Sequence, residues 1–201
     1  MAVIGLSVPF FGRYAYEGGI TTYLECDVIS HAIAYKVDVE VTDPTPLYAD
    51  GQIAELEQGV FQTGTLTLNT ADLPDYAAKW LLDLQEVNGE YHFNDDTEPL
   101  TVGFAIIEMH QIDDETKFKT VFFPKCIPNF PVDSADTKGN SIEWQTKEIT
   151  FRIERADGGR HPWQITAWHD SEAEATAYLH AVMGYDGNKV GVARVGYAIV
   201  G

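Results

Sequence analysis

Positive charge is scarce in this sequence. Thirteen Lys and Arg residues stand against 31 Asp and Glu, a formal net charge of −18 over 201 residues. A chain so poor in cations does not hold nucleic acid by neutralising phosphates, and DNA and anionic membrane surfaces repel it. The deficit is uneven: residues 1–120 carry 21 acidic and 5 basic side chains, net −16, and residues 121–201 carry 10 and 8, net −2. Solubility is the ordinary explanation of such a balance. Cysteine is nearly absent too. Cys26 and Cys126 lie far apart, with no C-x-x-C pair for a zinc framework, and both are expected to be reduced and buried in an intracellular product. No apolar run approaches the roughly 20 residues that span a bilayer, so no membrane partner is expected. The opening MAVIGLSVPFFGR lacks a basic segment, and Gly5, Pro9 and Gly12 interrupt it, so it is not expected to be a signal peptide. Repeats, low-complexity tracts and obvious linkers are missing, and the length points to one domain over residues 1–201, with arms at its N- and C-terminal ends.

Reactive constellations are also missing. His169-Asp170 invites a general-base reading, but no nucleophile motif accompanies it, and an Asp just ahead of a helix is favoured by the helix dipole. His110 and His161-Pro162-Trp163 are isolated, without the H-x-H or H-E-x-x-H spacing of a metal site. Asp95-Asp96 and Asp113-Asp114-Glu115 depart from calcium-loop spacing and read as solvated tips. The glycines form no phosphate-cradling loop. Trp144, Trp163 and Trp168 could line a sugar platform, although tryptophans at strand positions more often belong to a core. The expectation is a protein that binds or assembles, not an enzyme, with no cofactor, metal or catalytic residue.

What the sequence does have is β pattern. Apolar residues make up 45%, enough for a core. Residues 2–10 read as a first strand or an arm, Gly18-Gly19 as a turn and Ile20–Ile29 as a strand. In Ala34–Thr42, Val37, Val39 and Val41 alternate with Lys36, Asp38 and Glu40, which predicts one dry and one wet face. Asp43-Pro44-Thr45-Pro46 stops that strand. An acidic loop carrying Glu55 and Glu57 follows, and Thr65-Leu66-Thr67-Leu68 alternates again. Leu73, Ala77, Trp80, Leu81 and Leu84 form one stripe of a helix over about Pro74–Gln85, closed by Asn88-Gly89, with residues 90–99 a loop. Leu100–His110 and Lys117–Phe123 predict a hairpin with Asp113-Asp114-Glu115 at its tip. Pro124, Pro128 and Pro131 predict irregular structure or an edge. Ser141–Arg155, with Ile149, Phe151 and Ile153 on one face, and Trp163–Trp168 predict a second hairpin around Asp157-Gly158-Gly159. Ser171-Glu172-Ala173-Glu174 has the form of a capping box ahead of a helix over about Glu172–Met183. Val190–Val200 reads as a last strand or an arm, which would aggregate unless covered or paired with another copy. The fold class is mainly β, a β-rich α+β domain with one or two helices packed on an antiparallel sheet.

Three stretches together resemble the major tail proteins of long-tailed, non-contractile bacteriophages. The first is Leu47–Pro74, with an acidic turn at Tyr48, Asp50 and Gly51, the strand Gly64-Thr65-Leu66-Thr67-Leu68 and the helix start Asp72-Leu73-Pro74. The second, and most specific, is Ser134-Ala135-Asp136-Thr137-Lys138-Gly139-Asn140-Ser141-Ile142-Glu143-Trp144-Gln145-Thr146, similar to that family's T-K-G-x-S-I-E-aromatic-Q-T block. Between them fall Val102-Gly103-Phe104 and Phe122-Phe123-Pro124. The third is Trp163 followed by the capped helix with Ala173 and Ala175. The resemblance spans residues 47–180.

The resemblance implies a tail tube fold, an antiparallel β-sandwich or barrel with flanking helices. It implies hexameric rings stacked into the tube through which the genome passes, with loops and arms linking the rings and no enzyme activity or cofactor. The implied partners are other copies of the chain, the tape measure protein, the tail terminator, the distal tail protein and passing DNA held without specific contacts. The implied location is the virion tail, after synthesis in the host cytoplasm. Asp38 and Glu40 are then candidates for an acidic lumen wall, and the outer surface is an equal home for them. The segment near 43–59, too long for an ordinary hairpin connection, is the candidate for reaching a neighbouring ring. The alternatives are a monomeric ligand-binding β module of carbohydrate type and an acidic β-barrel hydrolase using His169 and Asp170.

Overall fold

A computed structural model describes residues 2–7, 9–28, 31–43, 45–49, 52–57, 59–71, 75–95, 97–129, 147–184 and 193–195. The strands are β1 (Ala2–Leu6), β2 (Phe10–Glu17), β3 (Ile20–Val28), β4 (Ala32–Val41), β5 (Thr45–Ala49), β6 (Gln52–Glu57) and β7 (Phe61–Thr70). After helix α1 (Asp75–Leu82) come β8 (Gln85–Val87), β9 (Glu90–His92), β10 (Val102–Ile112), β11 (Glu115–Pro128), β12 (Lys147–Glu154) and β13 (Ile165–His169). Helix α2 (Glu172–Met183) and β14 (Ala193–Val195) complete the described chain. Among the described residues the protein is mainly β and antiparallel, with two helices, as the sequence pattern predicts.

The predicted β10–β11 hairpin is the spine of a ten-stranded sheet. Each spine strand carries two partners end to end on its outer edge. β2 and β1 share the edge of β10, and β12 and β13 share that of β11. From one end of the spine the sheet runs outward through β2, β3 and β14 on one side and β12, β7 and β4 on the other. Among the described residues no pairing joins β4 to β1, so the strand ladder is not closed into a barrel.

The spine is apolar on both sides because both sides are covered. Val102, Phe104 and Ile106 point into a core with Leu66, Phe123, Phe151, Ala77 and Leu81. Ala105 and Ile107 point the other way, to Tyr23, Phe122 and the α2 residues Ala175, Leu179 and Met183. Gly103 lies under the Tyr23 ring, where an added Cβ would stand 2.4 Å from Tyr23 Cε1. The Tyr23 hydroxyl donates to the Pro124 carbonyl at 2.9 Å, which anchors the ring there.

Several expectations need correction. Pro124 and Pro128 do not break β11. Pro124 sits opposite a register shift against β10, between the end of the β13 pairing at Phe122 and the start of the β12 pairing at Lys125, so no ladder bond needs its missing N–H. β12 and β13 do not form a hairpin with each other, since both pair with β11. The acidic loop is the hairpin β5–β6, a two-stranded sheet of its own. α1 ends at Leu82, short of Gln85: Asp83 turns left-handed (φ 52°) and Leu84 N–H returns to the Lys79 carbonyl at 3.0 Å. Asn88-Gly89, expected to close the helical region, is at positive φ (55° and 85°) and forms the turn of the small hairpin β8–β9, whose second strand lies in what was expected to be loop. β2 had no counterpart in the sequence reading.

α2 has the predicted span. The Ser171 hydroxyl accepts from the Glu174 N–H at 3.2 Å, and Gly184 (φ 66°) closes the other end. The Glu174 carboxylate accepts from the Asp170 N–H, one residue before the position a capping box specifies. Pro131, the block Ser134–Thr146, Asp72–Pro74 and most of Val190–Val200 lie outside the described residues.

Candidate functional site

The alternation that makes β4, β7 and β12 strands also gives them two unlike faces. The register stacks Val37, Leu66 and Phe151 on the core side and Asp38, Thr65 and Arg152 on the other. The outer rows add Lys36, Thr67 and Thr150, then Glu40 and Thr63, with Glu148 beside Asn69. Lys36 pairs with Asp38 at 2.6 Å and Arg152 with Glu154 at 3.0 Å. Among the described residues Glu40 and Glu148 lack a basic partner, so the threonine-rich face is net acidic. Such exposed pairs stabilise the fold by ~1 kcal/mol or less.

The dry side of β4 is only partly dry. Val37 is half-buried, but Val39 and Val41 are 39% and 57% exposed, against the expectation of one buried valine face. Val39 stands opposite Gly64, which offers no side chain to cover it. Val41 lies at the end of the strand.

β1 and β4 face each other across a cleft of about 610 Å³. Val3, Gly5 and Leu6 line one wall, and Ala32, Ile33 and Val37 the other. Val3 and Ile33 are each 53% exposed. Glu108, 8% exposed, forms part of the lining. The Tyr35 hydroxyl donates to one of its oxygens, while His110 Nε2 at 2.9 Å and Lys119 Nζ at 3.2 Å meet the other. Burial pushes the Glu108 carboxyl pKa up. The hydrogen bonds from Tyr35, His110 and Lys119 outweigh that and leave it below the ordinary glutamate value. Burial and the Glu108 carboxylate together raise the Tyr35 phenol. Sequence reasoning missed this cluster. Its one signal was a polar alternation, Glu108 and His110, interrupting an apolar strand.

Of the residues singled out for chemistry, Trp168, His169 and Asp170 line one pocket, the His110 ring packs on Trp168 at 4.9 Å, and Lys117 joins Asp170 to Glu115. His169 Nε2 lies 3.3 Å from the Thr120 hydroxyl, and its ring packs on Tyr178. Asp170 pairs with Lys117 at 2.9 Å. His161 Nδ1 meets the Ala156 carbonyl at 2.9 Å, far from His110 in the chain and bonded to different groups. Asp113 and Asp114 are the positive-φ turn of the spine hairpin, and Glu115 pairs with Lys117. Asp95 is exposed beside β9, and Asp96 lies outside the described residues. Cys126 is buried and Cys26 partly buried, both free thiols. Burial raises both, Cys26 to about 11. Trp163 stacks on Phe61 at 4.9 Å. Trp168, expected in a core, is 49% exposed beside a pocket with Lys117, His169, Asp170 and Glu174. Trp144 lies outside the described residues.

No protein-family model matches the chain, and no curated protein matches it.

Proposed function

We propose that the chain is a tail tube subunit of a long-tailed, non-contractile bacteriophage, and that copies of it form stacked hexameric rings enclosing a DNA passage. The observation that carries the reading is one antiparallel sheet with a net-acidic threonine-rich face, open margins and a separate hairpin. The sequence blocks around Leu47–Pro74 and Ser134–Thr146 support it. A conduit for DNA must not bind its cargo, because phosphate contacts repeated along the bore would stall passage. The face carrying Asp38 and Glu40 has the chemistry of such a wall: hydroxyls and carboxylates, with its two cations engaged in ion pairs. In this reading hairpin β5–β6, within the segment 43–59, reaches an adjacent ring. The tape measure, terminator and distal tail proteins are the partners along and at the ends of the tube, in the virion tail.

Electron microscopy of concentrated protein tests the reading. Rings or tubes are expected, and monomers at every concentration overturn it. Asp38→Lys with Glu40→Lys tests the wall: particles carrying both changes are expected to eject DNA more slowly. Normal ejection removes these residues from the bore.

A second reading, a monomeric carbohydrate-binding module, draws on Trp168, whose exposed ring borders a pocket of about 350 Å³ among charged groups. It requires a monomer whose tryptophan fluorescence responds to added sugars.

A further inference from the structure

Strand β13 ends beside the start of α2, and there lies a pocket of about 350 Å³ lined by Ile112, Lys117, Trp168, His169, Asp170 and Glu174. The size is at the small end for ligand sites and suits one side chain better than a chain of sugars. Trp168 is 49% exposed, and among the described residues its indole N–H has no hydrogen-bond partner. The ring is nevertheless held from behind. The register puts Trp168, Lys119 and Glu108 in one row across β13, β11 and β10. An ionised carboxylate only accepts, so His110 Nε2 carries the proton it shares with Glu108 at 2.9 Å. The His110 ring, 6% exposed, meets Trp168 edge to face, with centroids 4.9 Å and planes 61° apart. The buried cluster fixes the imidazole, and the imidazole steadies the tryptophan.

The polar groups around that ring are mostly acceptors. Lys117 is shared by Asp170 Oδ1 and Glu115, both at 2.9 Å. Glu174 meets no basic side chain among the described residues, and only one of its oxygens is engaged, by the Asp170 N–H at 3.2 Å. The Thr120 hydroxyl donates to the Ala167 carbonyl at 3.2 Å, so His169 Nε2, 3.3 Å from that hydroxyl, is the donor of the pair. His169 Nδ1 is thereby left as an acceptor without a partner among the described residues. Asp170, Glu115 and Glu174 against Lys117 make three negative charges to one positive, a net −2 with histidine neutral. A neutral sugar brings acceptors as well as donors and leaves that charge unanswered. A planar cation that only donates matches both the acceptors and the exposed ring, whereas an ammonium has no flat surface to lay on an indole.

We propose that this pocket receives an arginine side chain presented by a partner protein. The guanidinium lies against Trp168 and donates to Asp170 and Glu174, each of which has a second oxygen to offer. Lys117 keeps Asp170 oriented through its other oxygen, and Ile112 gives the aliphatic stem an apolar contact. The formal charge of −18 on the chain draws a basic partner toward it. The pocket is complete within one chain, so the contact stands apart from the tail tube reading.

Isothermal titration calorimetry of the full chain tests it, with Nα-acetyl-arginine amide as the probe and the lysine and citrulline amides as controls. Citrulline keeps the planar shape and loses the charge. The arginine amide is expected to bind roughly tenfold more tightly than the citrulline amide and about threefold more tightly than the lysine amide. Trp168→Ala should weaken its binding about tenfold, and Glu174→Gln, on the first turn of α2, about threefold. Both positions are exposed, and circular dichroism with cooperative unfolding establishes that the variants fold. Added salt should weaken the binding of the arginine amide. Equal affinity for the arginine and citrulline amides, binding that survives Trp168→Ala, or no saturable heat from the arginine amide overturns the proposal. Tighter binding of methyl glucoside than of the arginine amide also overturns it and returns the pocket to the carbohydrate reading.

Discussion

The spine strand β10 and the margin strand β4 are both apolar-rich and of similar length, yet they live in opposite surroundings. Seven consecutive residues of β10, Val102–Glu108, are buried, whereas none of the ten residues of β4 is. β10 has strands on both edges and a covered layer on each face. β4 has β7 on one edge, an open cleft toward β1 and a wet outer face. Isoleucine therefore plays two parts in one sheet. Ile106 in the spine excludes water inside the monomer, and Ile33 at the margin is 53% exposed.

Substitutions can break or sharpen that contrast. The largest effect belongs to Phe104→Ala. This side chain is fully buried against Phe11, Phe123 and Phe151, and its loss should lower unfolding stability by about 3–5 kcal/mol in urea titration. Gly103→Ala comes next. A methyl driven into the Tyr23 ring should destabilise by roughly 1–3 kcal/mol. In a Tyr23→Ala background, itself destabilised, the added methyl should cost less than it does in the unaltered protein, and strict additivity of the two changes would refute the contact.

Glu108→Gln removes the charge that Tyr35, His110 and Lys119 share and should destabilise by about 1–3 kcal/mol at neutral pH. The folded-state carboxyl is held below its ordinary value, so its contribution is present above the unfolded-state pKa and is lost as pH falls through the depressed folded value. The unaltered protein should therefore lose stability faster than Glu108→Gln does on acidification below about pH 4.5. Parallel curves would show that the cluster contributes nothing through its charge. Ser171→Ala, which deletes the α2 cap, should cost about 1 kcal/mol in the same titration. Smallest of all, Val39→Thr at the margin should stay within about 0.5 kcal/mol. A larger loss would mean that Val39 supports the monomer after all.

The sequence made some of this legible and hid the rest for identifiable reasons. The alternations in Thr65–Leu68 and Ile149–Ile153 and the cap at Ser171 are local signals, and the structure has them where they were read. Asn88-Gly89 was also a local signal, but a helix end and a hairpin turn both use a positive-φ residue, and the helical stripe before it favoured the wrong choice. Pro124 was misjudged because its tolerance depends on which neighbour stops where along β11. Trp168 and Val39 were assigned to a core by residue type, although exposure depends on what stands opposite. The Glu108 cluster draws on β4, β10 and β11 and was legible from none of them alone.

By itself the sequence determined the strand and helix periods, the capped second helix and the acidic imbalance, because each depends on spacing or on a count. Tertiary structure alone decided which strands share an edge, that β10 is wrapped and β4 is left open, and that a carboxylate, a phenol, an imidazole and an ammonium meet beside the cleft. Those outcomes depend on long-range register, and the period of a strand does not encode its neighbour.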